Sequence, residues 1–307
     1  MHRLVGGVSG AGIFRIDAAR GPVVLRLEPL RIALASRRRH FACMVAAAEA
    51  GAAPPVLSAD AEGGVSVIAF VAARPLTQQP GGPAGLAAAL GALIGKVQAA
   101  APFPRPGRVD PIAALLAQLA ASDLFAAADL APHAQALARV RAAHPWTPRA
   151  LAPAHNDPNP RNLLFDGARL WLVDWELGFQ NDPLFDLAIA SIDLAATPRL
   201  EAALLAGAFG RPPTQADHAR LHLVRLLARL FYACVSLLAF VGRPKPQLDP
   251  ALVSPTPAEF RAAVAAGRLG GAVKPDATGY AFGGMSLRAF ADGVADPAFD
   301  AAVAAVA

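Results

Sequence analysis

The chain has 307 residues, 55% of them hydrophobic, and a net charge of +5 at neutral pH. This length favours one two-lobed unit over two independent domains, and the composition is ample for an apolar core. The basic balance does not indicate a nucleic-acid partner, because the arginines are dispersed and no basic-aromatic stripe or binding motif accompanies them.

The first predicted elements are two strands, at residues 3–5 and 13–17, joined by a segment rich in glycine. Glycines let backbone N–H groups approach phosphates, and a serine hydroxyl can add a further donor. The segment is not a Walker loop, since it has no Gly-Lys-Ser/Thr, and a strand rather than a helix follows it. We expect Gly7, Ser9 and Gly10 to contact nucleotide phosphates, with a flexible hairpin as the alternative.

A third strand and a helix follow. The strand covers residues 22–27 and contains a single charge, Arg26, in an apolar run. The helix is predicted from Arg37 to Ala50, where Gly51 ends it. It opens with three consecutive arginines, which we expect to lie on a solvated helix face.

The composition changes after residue 75, from β-branched residues to Ala and Leu. A strand at 65–71 is the last one predicted before this change. We therefore expect a nucleotide-binding lobe at 1–75 and a larger catalytic and substrate lobe at 76–307. The larger lobe is predicted to be helical at residues 84–100, 111–121, 133–143, 183–195, 198–208 and 215–241.

The C-terminal part contains three further signals. Thr256 and Glu259 have the spacing of a capping box at a helix start. The longest apolar run, residues 230–241, is 12 residues long, short of the ~20 needed to span a bilayer, and predicts a buried helix. His218 and His222 have the spacing of a zinc pair, but no third ligand is evident, and ordinary helix histidines are favoured.

The candidate catalytic residues lie in the segment from residue 155 to 186. It begins His155-Asn156-Asp157-Pro158-Asn159-Pro160-Arg161-Asn162 and continues, after one hairpin, to Asp174-Trp175-Glu176. A carboxylate that takes a proton from a hydroxyl, followed by an amide and a second carboxylate that hold Mg²⁺, is the layout of a phosphoryl-transfer site.

Turn chemistry supports this layout. Asp166-Gly167 is a hairpin turn signal, which pairs Asn162 with a position between residues 171 and 173. Asp174 then lies at the same end of the hairpin as Asn162. The segment also holds six acids and only two bases, a cluster that repels itself unless cations bind in it.

Residues 155–186 resemble the catalytic segment of the aminoglycoside phosphotransferase and choline kinase group of small-molecule kinases, and the His-Asn-Asp triplet is closer to the choline and ethanolamine kinase branch. The resemblance implies an α+β, protein-kinase-like fold, with a small antiparallel β lobe before a mainly helical lobe. It makes Asp157 the catalytic base, Asn162 and Asp174 metal ligands, and Glu176 a further metal ligand. Asp186 matches an acid that braces the catalytic loop.

The same resemblance gives Arg26 a role. A kinase usually has a Lys on this strand to hold the α- and β-phosphates, but the first of only three lysines here is Lys96. Arg26 is therefore the candidate. The acid expected near the start of the following helix is missing. The only Glu in that helix is Glu49 at its far end, and the partner of Arg26 stays open.

These residues together predict an enzyme that uses ATP and Mg²⁺ to phosphorylate a hydroxyl of a small molecule, as choline and ethanolamine kinases do. An aminoglycoside-type antibiotic kinase and a non-catalytic nucleotide-binding module are the alternatives. Two well-separated cysteines favour a reducing cytoplasm, and no signal peptide is visible. Neither a nucleic-acid nor a membrane partner is expected, and the oligomeric state stays open.

The acceptor is expected to carry at most one positive charge, because the helix predicted at 215–241 has a single acid, Asp217. A quaternary ammonium would need an aromatic cage. The candidates for such a cage are Trp175, Phe231, Tyr232 and Phe240, although an aromatic set at this spacing more often belongs to the core.

Overall fold

The computed structural model describes residues 2–4, 10–105, 109–270 and 275–307. The chain divides into two compact units. The first comprises Met1–Pro106 and Thr147–Thr214, and the second comprises Gly107–Trp146 and Gln215–Ala307. This division does not fall at the lobe boundary proposed between residues 75 and 76, which stays a prediction.

Strands and helices are numbered in chain order. The strands are β1 (His2–Arg3), β2 (Gly12–Ala18), β3 (Gly21–Leu27), β4 (Val56–Asp60), β5 (Val65–Ala69), β6 (Ala152–Ala154), β7 (Leu163–Phe165), β8 (Leu170–Leu172) and β9 (Phe179–Asn181). The helices are α1 (Leu34–Glu49), α2 (Gly82–Gln98), α3 (Pro111–Ala120), α4 (Ala127–Ala143), α5 (Phe185–Asp193), α6 (Pro198–Phe209), α7 (Gln215–Leu238), α8 (Pro257–Ala265), α9 (Pro275–Ala295) and α10 (Pro297–Val306).

The first unit contains an antiparallel sheet in the order β1-β2-β3-β5-β4. The predicted strand positions agree with β1, β2, β3 and β5 to within a few residues. Strand β3 lies in the middle of the sheet, so Arg26 pairs with Ile13 on one side and Ser66 on the other. Its position is thereby fixed by hydrogen bonds on both edges of the strand.

A hairpin of β7 and β8 forms as the turn chemistry predicts. Leu163 pairs with Leu172, and the N–H of Val173 donates to the carbonyl of Asn162, so Asn162 lies within the expected register. At the turn, the Asp166 side chain accepts from the N–H groups of residues 168 and 169. Asp174 therefore follows one residue after the position opposite Asn162.

Helices α2 and α6 of the first unit approach each other at glycines. A Cβ at Gly91 would lie 2.0 Å from the carbonyl oxygen of Leu204, and a Cβ at Gly207 would lie 2.1 Å from that of Ala88. No real Cβ tolerates such a distance, so only glycine permits this backbone contact.

The second unit is helical and is built around α7. Thirteen residues of α7 are buried, and the helix packs against α3, α9 and α10. Within the described residues, α7 alone is long and apolar enough to cross a membrane, and 61% of its apolar window is buried inside the structure. That burial is typical of a core helix, as predicted for the run at 230–241.

Three features of the second unit test the predicted helices. The capping box of Thr256 and Glu259 is present at the start of α8. Helix α4 begins at Ala127, six residues earlier than predicted, because Pro132 lies inside it rather than before it. Helices α9 and α10 were not predicted. Glycines in α9 interrupt its apolar pattern, and one of them, Gly284, lies against the backbone of Val253.

Candidate functional site

The carboxylate of Asp157 is held by two amide side chains. Asn162 donates from Nδ2 to the backbone oxygen of Asp157 at 2.9 Å and to its Oδ2 at 3.0 Å. Asn159 donates to Oδ1 at 2.8 Å and also caps the short 3₁₀ helix Pro160–Asn162 through the N–H of Arg161. This one turn brings Asn162 back to Asp157, so the spacing of five residues has a direct structural cause.

A buried acid braces the loop from behind. Asp186, at the start of α5, accepts the backbone N–H groups of His155 and Asn156, each at 2.7 Å. Burial raises the pKa of Asp186, and the two N–H groups and the nearby His155 oppose this rise. The bracing role expected for Asp186 is confirmed.

Asn156 locks the loop to the neighbouring strand. Its Nδ2 donates to the carbonyls of Leu177 and Phe179, and its Oδ1 accepts from Asn181 at 2.7 Å. The residue is fully buried, so each of these hydrogen bonds is protected from water. The Asn of the His-Asn-Asp triplet therefore positions the loop and does not face a substrate.

Two backbone conformations set this segment apart. Asn156 and Asp174, with φ of 65° and 69°, are the non-glycine residues at positive φ in the described part of the chain. Left-handed conformations are uncommon outside glycine, and Asn and Asp adopt them most readily. Both lie in the predicted active segment, where surrounding contacts hold a backbone geometry that would otherwise be disfavoured.

His155 joins the loop that carries Asp157 to the segment that carries Asp174. Its ring nitrogen Nε2 lies 2.9 Å from the carbonyl of Val173, directly before Asp174. The ring also packs against Trp175 with centroids 4.5 Å apart, and Phe103 packs edge-on against the same indole. Asp157 and Asp174 are thus carried by two segments that contact through His155.

The aromatic cage suggested by the sequence is wrong for three of its four candidates. Trp175 is 1% exposed and packs in the core of the first unit. Phe231 and Phe240 are 3% and 4% exposed in the second unit. Of the four, only Tyr232 is half-buried, so no cage of these residues is available to an ammonium group.

Arg26 contacts the two acids of the segment that follows β8. Its Nη1 lies 3.3 Å from Oδ1 of Asp174, and its Nη2 pairs with the carboxylate of Glu176. The structure therefore brings together Arg26, Asp174 and Glu176, which are separated by about 150 residues in the sequence. Burial lowers the pKa of Arg26, but the charges of Asp174, Glu28 and Glu176 outweigh it and raise the pKa overall.

A third acid, Glu28, directly follows β3 and binds Arg26. Its Oε1 lies 2.6 Å from Nε of Arg26 and 3.2 Å from Nδ1 of His40 in α1. Burial raises the pKa of Glu28, but the hydrogen bond from His40 and the charge of Arg26 outweigh this and lower it to about 2. Glu28 is the partner of Arg26 that the sequence left open.

The arginines that open α1 do not form the solvated face that was expected. Arg37 is buried and donates to the carbonyls of Leu30, Ile32, Ala61 and Glu62. Arg39 donates to the carbonyls of Glu176 at 3.0 Å and Gly178 at 2.9 Å. Only Arg38 is exposed, in an ion pair with Glu62. The run is therefore largely structural, because loop carbonyls face this end of the helix.

The glycine-rich loop is described only in part. Gly7 and Ser9 lie outside the described residues, and their phosphate-binding role stays a prediction. Gly10 has a φ of 77°, and a Cβ there would lie 3.0 Å from Nη2 of Arg31. Glycine suits this position because other residues rarely adopt such a backbone conformation.

Magnesium fits the donors at this site. The carboxylates of Glu28, Asp174 and Glu176 surround the single guanidinium of Arg26, so negative charge is in excess. Because Asn162 uses its Nδ2 to bind Asp157, its Oδ1 remains as a ligand atom. No group of three or more His, Cys, Asp or Glu side chains suited to a metal occurs in the described part of the chain. Mg²⁺ needs only one or two carboxylates beside neutral oxygens and water.

Sequence reasoning missed Glu28, His40 and Arg39. Glu28 had a usable signal, since it follows Arg26 by two residues at the end of a strand, and residues two apart in extended chain point to the same face. His40 and Arg39 had none, because their partners lie on other elements.

Known proteins resemble this chain over most of its length. The sequence model of the Phosphotransferase enzyme family matches residues 1–223. A choline/ethanolamine kinase family protein from Mesorhizobium loti is 25% identical with a TM-score of 0.68, over 99% of this chain and 91% of that one. These matches confirm the predicted α+β, protein-kinase-like fold.

Two further likenesses are more limited. A segment of 38 residues is 53% identical to protein LicA of Haemophilus influenzae, which covers 12% of this chain and 14% of that protein. An aminoglycoside-3'-phosphotransferase of type VIII shares the fold, with 23% identity and a TM-score of 0.51, over 74% of this chain and 92% of that one.

Proposed function

Because the chain belongs to the phosphotransferase enzyme family, we propose that it transfers the γ-phosphoryl group of ATP to a hydroxyl of a small molecule. The observation that carries this proposal is the geometry of Asp157. Its carboxylate is held by Asn159 and Asn162 in the loop that His155 joins to Asp174. A fixed carboxylate beside a cluster of further acids is what phosphoryl transfer requires.

Asp157 acts on the acceptor in this proposal. Its carboxylate takes the proton of the acceptor hydroxyl as the new O–P bond forms, and the bond from the γ-phosphorus to the bridging oxygen of ADP breaks. The two amides orient the carboxylate, so little motion is needed at the moment of reaction. Asp186 supports this by fixing the backbone on which Asp157 lies.

Asn162, Asp174 and Glu176 would hold Mg²⁺, which when bound neutralises charge on the nucleotide phosphates. Arg26 would bind the α- and β-phosphates through its Nη atoms. Gly7, Ser9 and Gly10 would add backbone and hydroxyl donors. We place the enzyme in the cytoplasm, without a nucleic-acid or membrane partner.

For the acceptor we propose a small alcohol of the choline or ethanolamine type. The likeness to the Mesorhizobium loti protein supports this choice, since it covers nearly the whole chain. Helix α7 has only one acid, Asp217, whereas an acceptor with several ammonium groups would favour several carboxylates. An aminoglycoside-type kinase is the second candidate, supported by the fold it shares with the type VIII enzyme.

A non-catalytic nucleotide-binding module is the remaining alternative. Its support was the missing acid in the helix after β3, and Glu28 now supplies a carboxylate to Arg26. The presence of Asp157, Asn162 and Asp174 in contacting segments argues against it.

ATP consumption across a panel of choline, ethanolamine, thiamine, sugars and aminoglycosides tests the function. We expect consumption that depends on a small alcohol and on Mg²⁺, and that is lost in Asp157→Ala. Efficient turnover of kanamycin-like compounds, with none of the small alcohols, would leave the reaction type but remove the proposed acceptor. No acceptor-dependent consumption at all, together with retained ATP binding, would favour the non-catalytic module.

A further inference from the structure

The contacts of Arg26 differ from those that the resemblance to small-molecule kinases implies. There, an acid near the start of the following helix is expected to hold the cation of this strand. The guanidinium of Arg26 is bound at its Nε edge by Glu28, which directly follows β3, and at its Nη edge by Asp174 and Glu176. The two edges therefore have separate partners. Only the Nη edge is directed towards the residues proposed to bind metal.

Glu28 is suited to a purely positioning role. Its side chain is 1% exposed, and its backbone N–H donates to the carbonyl of Gly64. The lowered pKa keeps its carboxylate charged at neutral pH. A buried, charged carboxylate that cannot reach solvent fixes the guanidinium plane more firmly than an exposed one, because side-chain freedom and screening are both small.

His40 provides the link to α1. Its side chain is 6% exposed, and Nδ1 lies 3.2 Å from the same Oε1 of Glu28 that binds Arg26. The helix that was expected to present an acid thus presents a histidine, and the acid directly follows β3 instead. One carboxylate oxygen is shared by Arg26 and His40.

Resting on the proposed function, we infer that Glu28, held by His40, takes the place of the missing helix acid and positions Arg26 for the nucleotide phosphates. Glu28 and His40 are positioning residues and touch no substrate themselves. Nε of Arg26 then stays bound to Glu28, and the two Nη groups, which pair with Asp174 and Glu176 in this structure, are the ones directed towards the α- and β-phosphates.

The inference predicts a specific pattern of ligand binding. Without Glu28, the guanidinium loses its fixed plane, so ligands with phosphates should bind more weakly while adenosine, which has none, should not. We expect Glu28→Gln to weaken binding of Mg·ADP by about 10- to 100-fold, the usual effect of one lost charge-assisted hydrogen bond. His40→Gln should weaken it less, by roughly threefold, since an amide can still donate to Glu28.

A position swap provides the second variant. In Glu28→Ala the carboxylate is removed and space is left beside Nε of Arg26. The further substitution His40→Glu places a carboxylate in this space from α1, the helix on which the resemblance to kinases implies an acid. The double variant should bind Mg·ADP at least threefold more tightly than Glu28→Ala. A residue with only a general structural role would not be rescued in this way.

Calorimetric titration of the full chain with Mg·ADP and with adenosine measures these effects, and thermal unfolding checks that each variant is folded. Arg38→Ala is the matched control, because Arg38 lies on the same helix but is exposed in its pair with Glu62. If Glu28→Gln does not fold, two other measurements test the inference. One compares the Mg·ADP affinities of His40→Gln and Arg38→Ala, and the other compares the double variant with Glu28→Ala.

Three results would overturn the inference. One is equal binding of Mg·ADP by the parent and by Glu28→Gln. Another is a loss that affects Mg·ADP and adenosine alike, and the third is a double variant no better than Glu28→Ala. If the parent itself binds neither ligand, the proposed function falls, and the inference falls with it.

Discussion

The two sides of the candidate site are held by different forces. On the catalytic-loop side, Asp157 is bound by the neutral amides of Asn159 and Asn162, and Asp186 by the backbone N–H groups of His155 and Asn156. On the anchor side, Arg26 is bound by the charges of Glu28, two residues away, and of Asp174 and Glu176, about 150 residues away.

This difference teaches which side is rigid and which is adjustable. Backbone N–H groups cannot rotate away from Asp186, so the catalytic loop has one well-defined geometry. On the anchor side the contacts are ion pairs, so a cation or phosphate that binds there changes the electrostatic interactions of Arg26 with its acids. We expect chemistry to depend on the first side and ligand affinity to depend on the second.

The largest effect is expected at Asp157. Asp157→Ala should lower turnover by roughly 10²–10⁴, the usual contribution of a positioned general base, while nucleotide affinity stays within a few-fold of the parent. Initial rates of ATP consumption and calorimetric titration measure the two quantities. Turnover close to that of the parent would show that Asp157 is not the base. It would also contradict the expectation that chemistry depends on the catalytic-loop side.

The next effect concerns folding of the catalytic-loop side. Asp186→Asn replaces one of two acceptor oxygens with a donor that faces a backbone N–H, inside the protein core. We expect a loss of about 3 kcal/mol in the free energy of unfolding, because a buried hydrogen bond is lost and two donors are left facing each other. Urea unfolding at neutral pH measures it.

Asp300→Asn is the control for this change. The carboxylate of Asp300 is 76% exposed in its pair with Arg139, so its replacement should change stability by less than ~1 kcal/mol. Equal effects of the two substitutions would show that Asp186 does not brace the loop in solution.

Acid should weaken the anchor side. The pKa of Glu28 is lowered from 4.5 to about 2, so its stabilising effect is complete above pH 4.5 and is lost as the pH falls towards 2. The effect amounts to at most about 3 kcal/mol, since a tenfold change in proton affinity corresponds to ~1.4 kcal/mol. The pKa of Asp186 is raised, so protonation of this carboxyl as the pH falls favours the folded protein, in contrast to Glu28.

Urea unfolding of the parent and of Glu28→Gln between pH 6 and pH 3 isolates the contribution of Glu28. We expect the parent to be the more stable of the two at pH 6 and the difference to shrink as the pH falls. A difference that stays constant over this range would contradict the charged, paired state of Glu28.

The smallest effect is expected for the metal. Asp174→Asn should weaken Mg²⁺-dependent binding of ADP by roughly tenfold, because hard cations favour a carboxylate oxygen over an amide. Titrations with and without Mg²⁺ should show that binding in its absence is little changed. Unaltered metal dependence in the variant would exclude Asp174 as a ligand and leave it as a partner of Arg26 alone.

The catalytic-loop side could be predicted because its partners are local. Asp157 and Asn162 lie within one turn, and Asp174 of the anchor side follows after one hairpin, so spacing and turn chemistry sufficed to place these three residues. Their assignment as base and ligands stays a prediction, whereas the hairpin register is confirmed.

The anchor side could not be predicted, because it depends on how α1 packs against the sheet and the loop. The contact of His40 with Glu28 joins two elements, and that of Arg39 with Glu176 spans 137 residues. Helix α9 was missed for a related reason, since its glycines serve close packing and weaken the apolar periodicity on which helix prediction depends.

The contact of α2 with α6 affects how sequence variation in this protein should be read. The atoms that face Gly91 and Gly207 are carbonyl oxygens, which no rotamer change can move aside. An added methyl group must therefore separate the two helices, and its cost would appear as poor folding or low yield rather than as altered chemistry. In a library of random variants, inactive clones at these glycines would report on assembly of the first unit, and they should be counted apart from inactive clones at Asp157.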